Sequence, residues 1–411
     1  MKPAFVATAL AAALAAGASQ AAPEFSGQVR PQWMDQQANG AGPLAQAASL
    51  QPGIVTLPRS FAAVETELHL SGHGLSFIGT EQQQRIEGDR LRSHGWVNEL
   101  NGSFDALGWQ FSAGKKIVGW DVGYGFRPND VVEQEARRTL LTVTPEGRPL
   151  LMAEHFDAST AWSFVLVNPT KPRDQFGAEE PALAARVYQR DGAIDWHGFA
   201  RYGAHTGASL GGAAAWVASE SLELHGSARV LARADTLASA AAATTLLGAN
   251  PWQNARTGHT AQALIGGTWT NEAQLSLLAE AWWDGTALSD SQWDDWAARN
   301  RGLVSLIGTP APTSAIAGNL AWQASAFNAS MNLRRSNLFV RASWQYDKWQ
   351  PAIDMLYTPA DRGRVVTGSV GWQGDRVRID AGLRLYGGPS SSVVAQLPTR
   401  RIAYLAGTWS F

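Results

Sequence analysis

The feature that most constrains the fold is an alternation of apolar and polar residues, repeated in segments of ~10 residues from about residue 60 onward. Successive side chains of a β-strand point to opposite faces, so an alternating segment has one apolar and one polar face. Segment 376–386 shows the pattern, with the aliphatic residues Val377, Ile379, Ala381, Leu383 and Leu385 set between Arg376, Arg378, Asp380 and Arg384. The repetition predicts an all-β chain.

The alternation also occurs in segments 64–70, 194–202, 222–230 and 338–346. Further candidate strands lie near 95–105, 108–117, 150–156, 161–167, 183–190, 208–218, 259–270, 273–283, 317–328, 350–357, 365–373 and 401–411. We therefore expect roughly 16–18 antiparallel strands. The parity of the strands requires one more strand between residues 284 and 316. Residues 302–307 could supply it, whereas 289–298 favour a capped helix in an outer loop.

Short and long connections alternate between these segments. Short turns are expected at 105–108, 157–160, 191–192, 271–272, 347–348 and 374–375, and long loops at 118–148, 168–181, 233–257, 285–314 and 388–400. Short turns at one end and long loops at the other are typical of transmembrane antiparallel β-barrels with long extracellular loops. A soluble sandwich also alternates, but aromatic residues near many strand ends favour the interfacial girdles of a barrel.

The first residues predict export. Lys2 provides a positive charge, an Ala- and Leu-rich apolar run follows, and Ser19, Gln20 and Ala21 suit a cleavage site, so residues 1–21 are expected to be a signal peptide. No later apolar run is long enough for a membrane-spanning helix, and an exported chain that spans a bilayer without helices must form a closed barrel. We expect a flexible or pore-buried N-terminal segment at 22–60 and a transmembrane β-barrel at 61–411.

Two compositional features exclude other classes. The chain has no cysteine, so it uses no disulfides. Its net charge of −2 lacks the basic excess that a nucleic-acid-binding protein usually shows.

The last strand, 401–411, carries an apolar face that includes Leu405, Trp409 and the terminal Phe411. This face resembles the C-terminal insertion signal of bacterial outer-membrane proteins. The resemblance implies that Leu405, Trp409 and Phe411 form an assembly signal read by the barrel assembly machinery. It also implies that the chain lies in the cell outer membrane, among outer-membrane lipids.

A second resemblance concerns the region around residue 120. Residues 114–121, which read Gly-Lys-Lys-Ile-Val-Gly-Trp-Asp, and 127–130, which read Arg-Pro-Asn-Asp, resemble a motif of porin-like families. The resemblance implies a channel, and we expect passive passage of small solutes through a monomer or homotrimer. Because the sequence has no nucleophile-elbow Gly-x-Ser-x-Gly, no phosphate loop and no His-Glu-x-x-His, we expect no enzymatic activity, cofactor or metal. The alternatives are an export channel for a polymer or natural product with a periplasmic partner, a barrel enzyme, or a surface adhesin.

If the aliphatic faces contact lipid, the charged faces line the lumen. The expected pore-lining residues are Glu65, Glu67, His69, Asp195, His197, Arg201, Glu223, His225, Arg229, Arg341, Arg378, Asp380 and Arg384. Rings of such charges tune selectivity in channels. The alternative is that they only solvate the wall and form cross-strand ion pairs. Three acidic-x-His pairs, ending at His69, His197 and His225, could in principle bind a metal or act in acid–base chemistry, although a solvated wall is the more ordinary role.

The long loop 118–148 combines aromatic and charged residues and is the candidate constriction or plug. Its candidate residues are Trp120, Asp121, Tyr124, Arg127, Asp130, Glu133, Glu135, Arg137 and Arg138. Aromatic rings beside charges of both signs can contact a solute by stacking and bidentate hydrogen bonds. The alternative is an exposed surface loop.

Overall fold

The computed structural model describes residues 23–133, 140–141, 144–239 and 246–411, and the expected signal peptide at 1–21 lies outside them. The strands are β1 (Glu24–Ala38), β2 (Phe61–Gly72), β3 (Leu75–Ile86), β4 (Leu91–Ala106), β5 (Trp109–Lys116), β6 (Arg148–Phe156), β7 (Thr160–Val167), β8 (Ala182–Asp191), β9 (Ile194–Gly203), β10 (Gly207–Ser219), β11 (Leu222–Leu231), β12 (Ala234–Ser239), β13 (Trp252–Thr257), β14 (Thr260–Thr270), β15 (Leu275–Asp284), β16 (Ser336–Trp344), β17 (Trp349–Thr358), β18 (Gly363–Gln373), β19 (Val377–Gly387) and β20 (Thr399–Ser410). The helices are α1 (Pro43–Leu50), α2 (Asp290–Ser305) and α3 (Thr313–Trp322).

Eighteen of these strands form one closed antiparallel barrel. Each strand pairs with its neighbours in chain order, and the pairing of β1 with β20 closes the sheet, so no edge is left open. The remaining two strands, β12 and β13, pair only with each other in the outer loop between β11 and β14. The expected all-β barrel is therefore confirmed.

The alternation along each strand gives the barrel an apolar outer surface. In β2, Val64 is 45% exposed, whereas the neighbouring Glu65 is 3% exposed. The outward Ile265 of β14 and Leu210 of β10 are 70% and 61% exposed. An outward apolar surface of this kind suits the hydrocarbon of a bilayer. Among the described residues, no helix is long and apolar enough to cross a membrane.

The segment 22–60 differs from the expectation of a flexible or pore-buried piece outside the barrel. Residues 24–38 are a wall strand, paired with β2 from Glu24 opposite Ser71 to Met34 opposite Phe61. The barrel therefore begins at residue 24 rather than 61, and residues 39–60 form an outer loop that carries α1. Pro31, which has no N–H to donate, lies where the pairing of β1 with β20 skips two residues.

The outer loop between β15 and β16 is helical where 317–328 was expected to be a strand and 302–307 was a possible one. Ser289 caps α2 through a capping box with Gln292, which confirms the expected helix at 289–298. The helix continues to Ser305, so the extra strand near 302–307 is wrong. The strand expected at 317–328 is also wrong, because α3 and a 3-10 turn occupy those residues. The two wall strands that were not expected from the sequence, β1 and β3, bring the barrel to eighteen strands.

The C-terminal residue closes the seam between the first and last strands. The amide of Phe411 donates to the carbonyl of Gly27 at 3.0 Å, and the Gly27 amide donates to the Phe411 carbonyl at 3.1 Å. The Phe411 ring lies 5.9 Å from the ring of Phe25, between centroids. Leu405 and Trp409 point outward and are 51% and 49% exposed. The apolar face of β20 is therefore part of the outward-facing apolar surface at the seam.

The helices of the outer loops share a small hydrophobic core, here called the cap cluster. It contains Ala47 of α1, Leu303 of α2, and Ile316 and Leu320 of α3, all at most 2% exposed. Leu246, from the loop after β11, packs against it. The cap cluster thus joins loops that leave the barrel after β1, β11 and β15.

Candidate functional site

The described part of the loop between β5 and β6 folds into the barrel, and we call residues 117–147 the inward loop. Asn129 donates from Nδ2 to the Ser227 hydroxyl at 2.9 Å and to the Ala228 carbonyl at 3.0 Å. The Ser227 hydroxyl in turn donates to Asp121 Oδ2 at 2.9 Å. Ser227 is an inner-face residue of β11, since the outward neighbour Val230 is 60% exposed and Ser227 only 4%. The described part of the loop is therefore docked on the inner wall, and the alternative of an exposed surface loop does not hold for it.

Glu280 of β15 fixes the tip of the loop. Its Oε1 accepts the amide of Tyr124 at 2.6 Å, and its Oε2 accepts the amide of Gly125 at 2.7 Å. Nε2 of His225 lies 2.9 Å from the same Oε1. The Glu280 carboxylate is fully buried. A buried carboxylate whose two oxygens both accept hydrogen bonds holds the loop far more firmly than an exposed contact does.

An apolar surface anchors the rest of the loop. Trp120, Val131 and Val132 are at most 5% exposed and pack against inward side chains of β6 to β10, including Leu150 and Phe199. Complete burial of one such side chain contributes about 1.5–3 kcal/mol. The sequence places these apolar residues at inward positions of neighbouring strands, so the wall itself provides the surface that draws the loop inward.

The other candidate loop residues differ in exposure. Tyr124 is 49% exposed, and its ring lies 5.8 Å from that of Phe339 on β16. Arg127 donates from Nε to the Gly123 carbonyl at 2.8 Å. Asp130 and Glu133 are buried, and Glu133 accepts the amide of Val118 at 2.9 Å. Glu135, Arg137 and Arg138 lie outside the described residues.

Burial raises the pKa of Asp121, although its hydrogen bonds from the Asn129 amide, the Ser227 hydroxyl and the Val122 amide oppose the rise. Ionising this carboxyl therefore costs free energy in the docked loop, and those three donors reduce that cost.

On β1 and β2, Glu65, Glu67 and His69 form one network with Arg30. Arg30 pairs with Glu65 and lies 3.2 Å from Glu67, between Nη2 and Oε2. His69 Nε2 lies 2.7 Å from Glu67 Oε1. Glu67 is fully buried and also contacts the side chain of Thr144, at the end of the inward loop. The loop is thus held at the β2 wall as well as at β11 and β15.

The inner wall of β16 to β19 carries the remaining predicted arginines. Arg341 pairs with Asp354 at 3.3 Å, and Arg378 pairs with Asp380 at 2.8 Å. Arg384 donates to the Thr367 hydroxyl at 3.0 Å. Each of these three contacts joins two adjacent strands or two residues of one strand. This wall therefore carries charges of both signs.

On β8 to β11 the predicted residues have separate partners. Asp195 accepts from the Tyr188 hydroxyl at 2.6 Å, and the ring of His197 stacks on Phe199 at 5.9 Å between centroids. The third expected acidic-x-His pair, Glu223 with His225, has a distance of 3.1 Å and extends to Glu280.

The other predicted residues of this wall lie at its outer end. Arg201 pairs with Glu180 at 2.6 Å. Arg229 donates to Ser209 at 2.8 Å and to the Pro128 carbonyl at 3.2 Å. Because His69, His197 and His225 lie on β2, β9 and β11, the three pairs do not form one cluster.

Sequence reasoning missed several residues of the site. Glu280 occupies an inward position of the strand expected at 273–283, so alternation alone could have identified it. Arg30 lies on a strand that was not expected. Asn129 and Glu180 lie in loops, where no periodic pattern indicates which side chain turns inward.

Solved structures of similar fold were found by comparison of the whole chain. OccK5 (OpdH) of Pseudomonas aeruginosa gives a TM-score of 0.53 at 8% identity, over 95% of this chain and 98% of that chain. OccAB1 of Acinetobacter baumannii gives 0.53 at 9% identity, over 95% and 96%. OccD3 (OpdP) of Pseudomonas aeruginosa gives 0.52 at 7% identity, over 95% and 91%.

The likeness shows the fold alone: the chain folds as a closed β-barrel similar to the barrels of these outer-membrane proteins. No family model matches the sequence, and no curated protein matches it either.

Proposed function

We propose that this protein is an outer-membrane channel that lets small solutes cross passively, and that the inward loop 117–147 sets its narrowest part. The observation that carries the proposal is the loop docked inside a closed barrel by Glu280 and Ser227. The apolar outside, the polar inside and the porin-type fold support it. The charged wall residues then bias which solutes pass.

The proposal is for a channel without catalytic residues. The wall histidines support this reading, because each has its own local partners on a separate strand. We also propose that the barrel assembly machinery recognises the face of Leu405, Trp409 and Phe411, and that the barrel works as a monomer or homotrimer.

A planar-bilayer experiment tests the channel and the role of its loop. The wild-type protein should give stepwise conductance. Glu280→Gln offers one acceptor oxygen where the carboxylate offers two, so one buried amide loses its partner at a cost of about 1–3 kcal/mol. We expect larger and less steady current steps because the tip of the loop is released.

The matched control is Glu272→Gln, which changes an exposed carboxylate in the turn before the same strand. It should conduct like the wild type. A correctly inserted barrel that never conducts, even after deletion of the inward loop, would exclude the channel. Equal currents in both variants and the wild type would exclude the loop as the narrow part.

A further inference from the structure

A cavity of about 150 Å³ lies on the outer side of the inward loop. Its walls come from the loop, from the outer ends of β9 and β11, and from the outer segments at 177–180 and 233–235. A cavity needs only about 10–15 Å³ to admit a water molecule, so this one has room for a small ion with part of its hydration.

Four arginines line this cavity: Arg127, Arg201, Arg229 and Arg233. Of the four, within the described part of the chain, only Arg201 forms a direct ion pair, with Glu180 at 2.6 Å, whereas Asp121 acts on Arg127 and Arg229 from farther away. Arg229 is 8% exposed, and its hydrogen bonds go to the neutral Ser209 hydroxyl and Pro128 carbonyl. A buried guanidinium whose direct hydrogen-bond partners are all neutral is costly.

The carboxylates of the lining are engaged by other groups. Glu180 accepts from Thr206 at 2.6 Å as well as from Arg201. Asp235 accepts the Gly177 amide at 2.7 Å. The third lining carboxylate, Asp130, is buried. The lining thus has four arginines and three carboxylates, and Asp121, outside the lining, also acts on Arg127 and Arg229.

One buried hydrogen-bond donor of the cavity lining is also unsatisfied among the described residues. The Nε–H of Arg201 is buried and has no hydrogen-bond partner among the described residues. Arg201 itself is 5% exposed. A buried donor without a partner costs free energy that a bound acceptor would recover. At the rim, Arg233 is exposed, so an anion can reach the cavity from the outer mouth.

We propose that this cavity binds a small oxyanion, the carboxylate or phosphate group of a solute arriving from the outer side. The planar guanidinium groups suit the paired oxygens of either group. The consequence for transport rests on the proposed channel function, because the bound solute would wait directly above the inward loop. Binding itself does not depend on conduction, so the two proposals can fail separately.

Calorimetric titration of the folded, detergent-solubilised barrel tests the site with inorganic phosphate and with acetate as probes. We expect saturable binding of at least one. Arg229→Met should abolish it, and Arg233→Gln should weaken it about tenfold, because each removes a charged donor. Arg400→Gln, which removes an exposed cation at the outer end of β20, should bind like the wild type. Tighter binding of acetate would assign the site to carboxylates, and tighter binding of phosphate to phosphates.

Two results would overturn the proposal: no saturable binding of either probe, or binding that neither variant weakens. If Arg229→Met fails to give a folded barrel, Arg233→Gln decides alone, since that side chain is exposed and its loss should not disturb folding. Bilayer recordings of the same proteins keep the two proposals apart, because a barrel that binds phosphate without conducting refutes the channel only.

Discussion

At the scale of single residues, buried carboxylates attach loops to the inner wall. Glu280 binds two loop amides, and Glu180 binds Arg201, Thr206 and the amides of His205 and Thr206. Each of these carboxylates is at most 3% exposed. Carboxylates are acceptors only, so they suit a wall that must hold backbone N–H groups of loops without secondary structure.

The Glu180 contacts predict loss of local structure in acid. Burial raises the pKa of Glu180, but the positive charge of Arg201 and the hydrogen bonds outweigh it, so the pKa lies below its usual value. The stabilisation is present above the unfolded pKa of about 4.3 and is lost as the pH falls through the lower folded pKa. The protection factors of the amides in segment 168–181, which compare each exchange rate with the intrinsic rate at the same pH, should therefore fall below about pH 4. In Glu180→Gln they should already be low at pH 7, and protection factors that are independent of both pH and substitution would contradict this.

At the scale of elements, the alternation of apolar and polar residues predicted most wall strands. It failed for segments that do not have one apolar and one polar strand face. In the outer half of β3, Glu81, Gln83 and Arg85 point outward, so both faces are polar and no apolar stripe appears. In β1, Pro31 breaks the pattern of a strand. The strand predicted at 317–328 was wrong because Ile316 and Leu320, four residues apart, pack as one face of a helix.

The seam between β1 and β20 depends on a glycine. A Cβ at Gly27 would lie 2.6 Å from the Phe411 ring and 2.8 Å from the Glu67 carbonyl. Gly27→Val must therefore displace Phe411 or the backbone of β2, and we expect less folded barrel in the outer membrane and a lower unfolding temperature. Heat-modifiable mobility on electrophoresis measures both. Gly368→Val, at a position with open space around it on β18, is the control and should resemble the wild type. Equal losses in both variants would contradict a special role of the seam.

At the scale of the whole molecule, two separately stabilised parts share one chain. The barrel is held by a closed ladder of hydrogen bonds, whereas the cap cluster is held by apolar burial among outer loops. The loops after β1 and β11 leave the ring of eighteen strands from nearly opposite sides, so the cap cluster joins them across the outer mouth. We therefore expect that the cap can loosen without opening the barrel.

Leu303→Ala tests this division. Leu303 is fully buried in the cap cluster, and its truncation should cost about 2–5 kcal/mol through the cavity left behind. This loss of stability is expected in the cap cluster and not in the barrel. Limited proteolysis should therefore cut the outer loops faster, while the heat-modifiable barrel band on electrophoresis stays intact. If the cap restricts the mouth, conductance should rise in the same variant. Ile307→Ala, whose side chain is 43% exposed in the same loop, should leave both unchanged. Unfolding of the barrel together with the cap would show that the two parts are one cooperative unit.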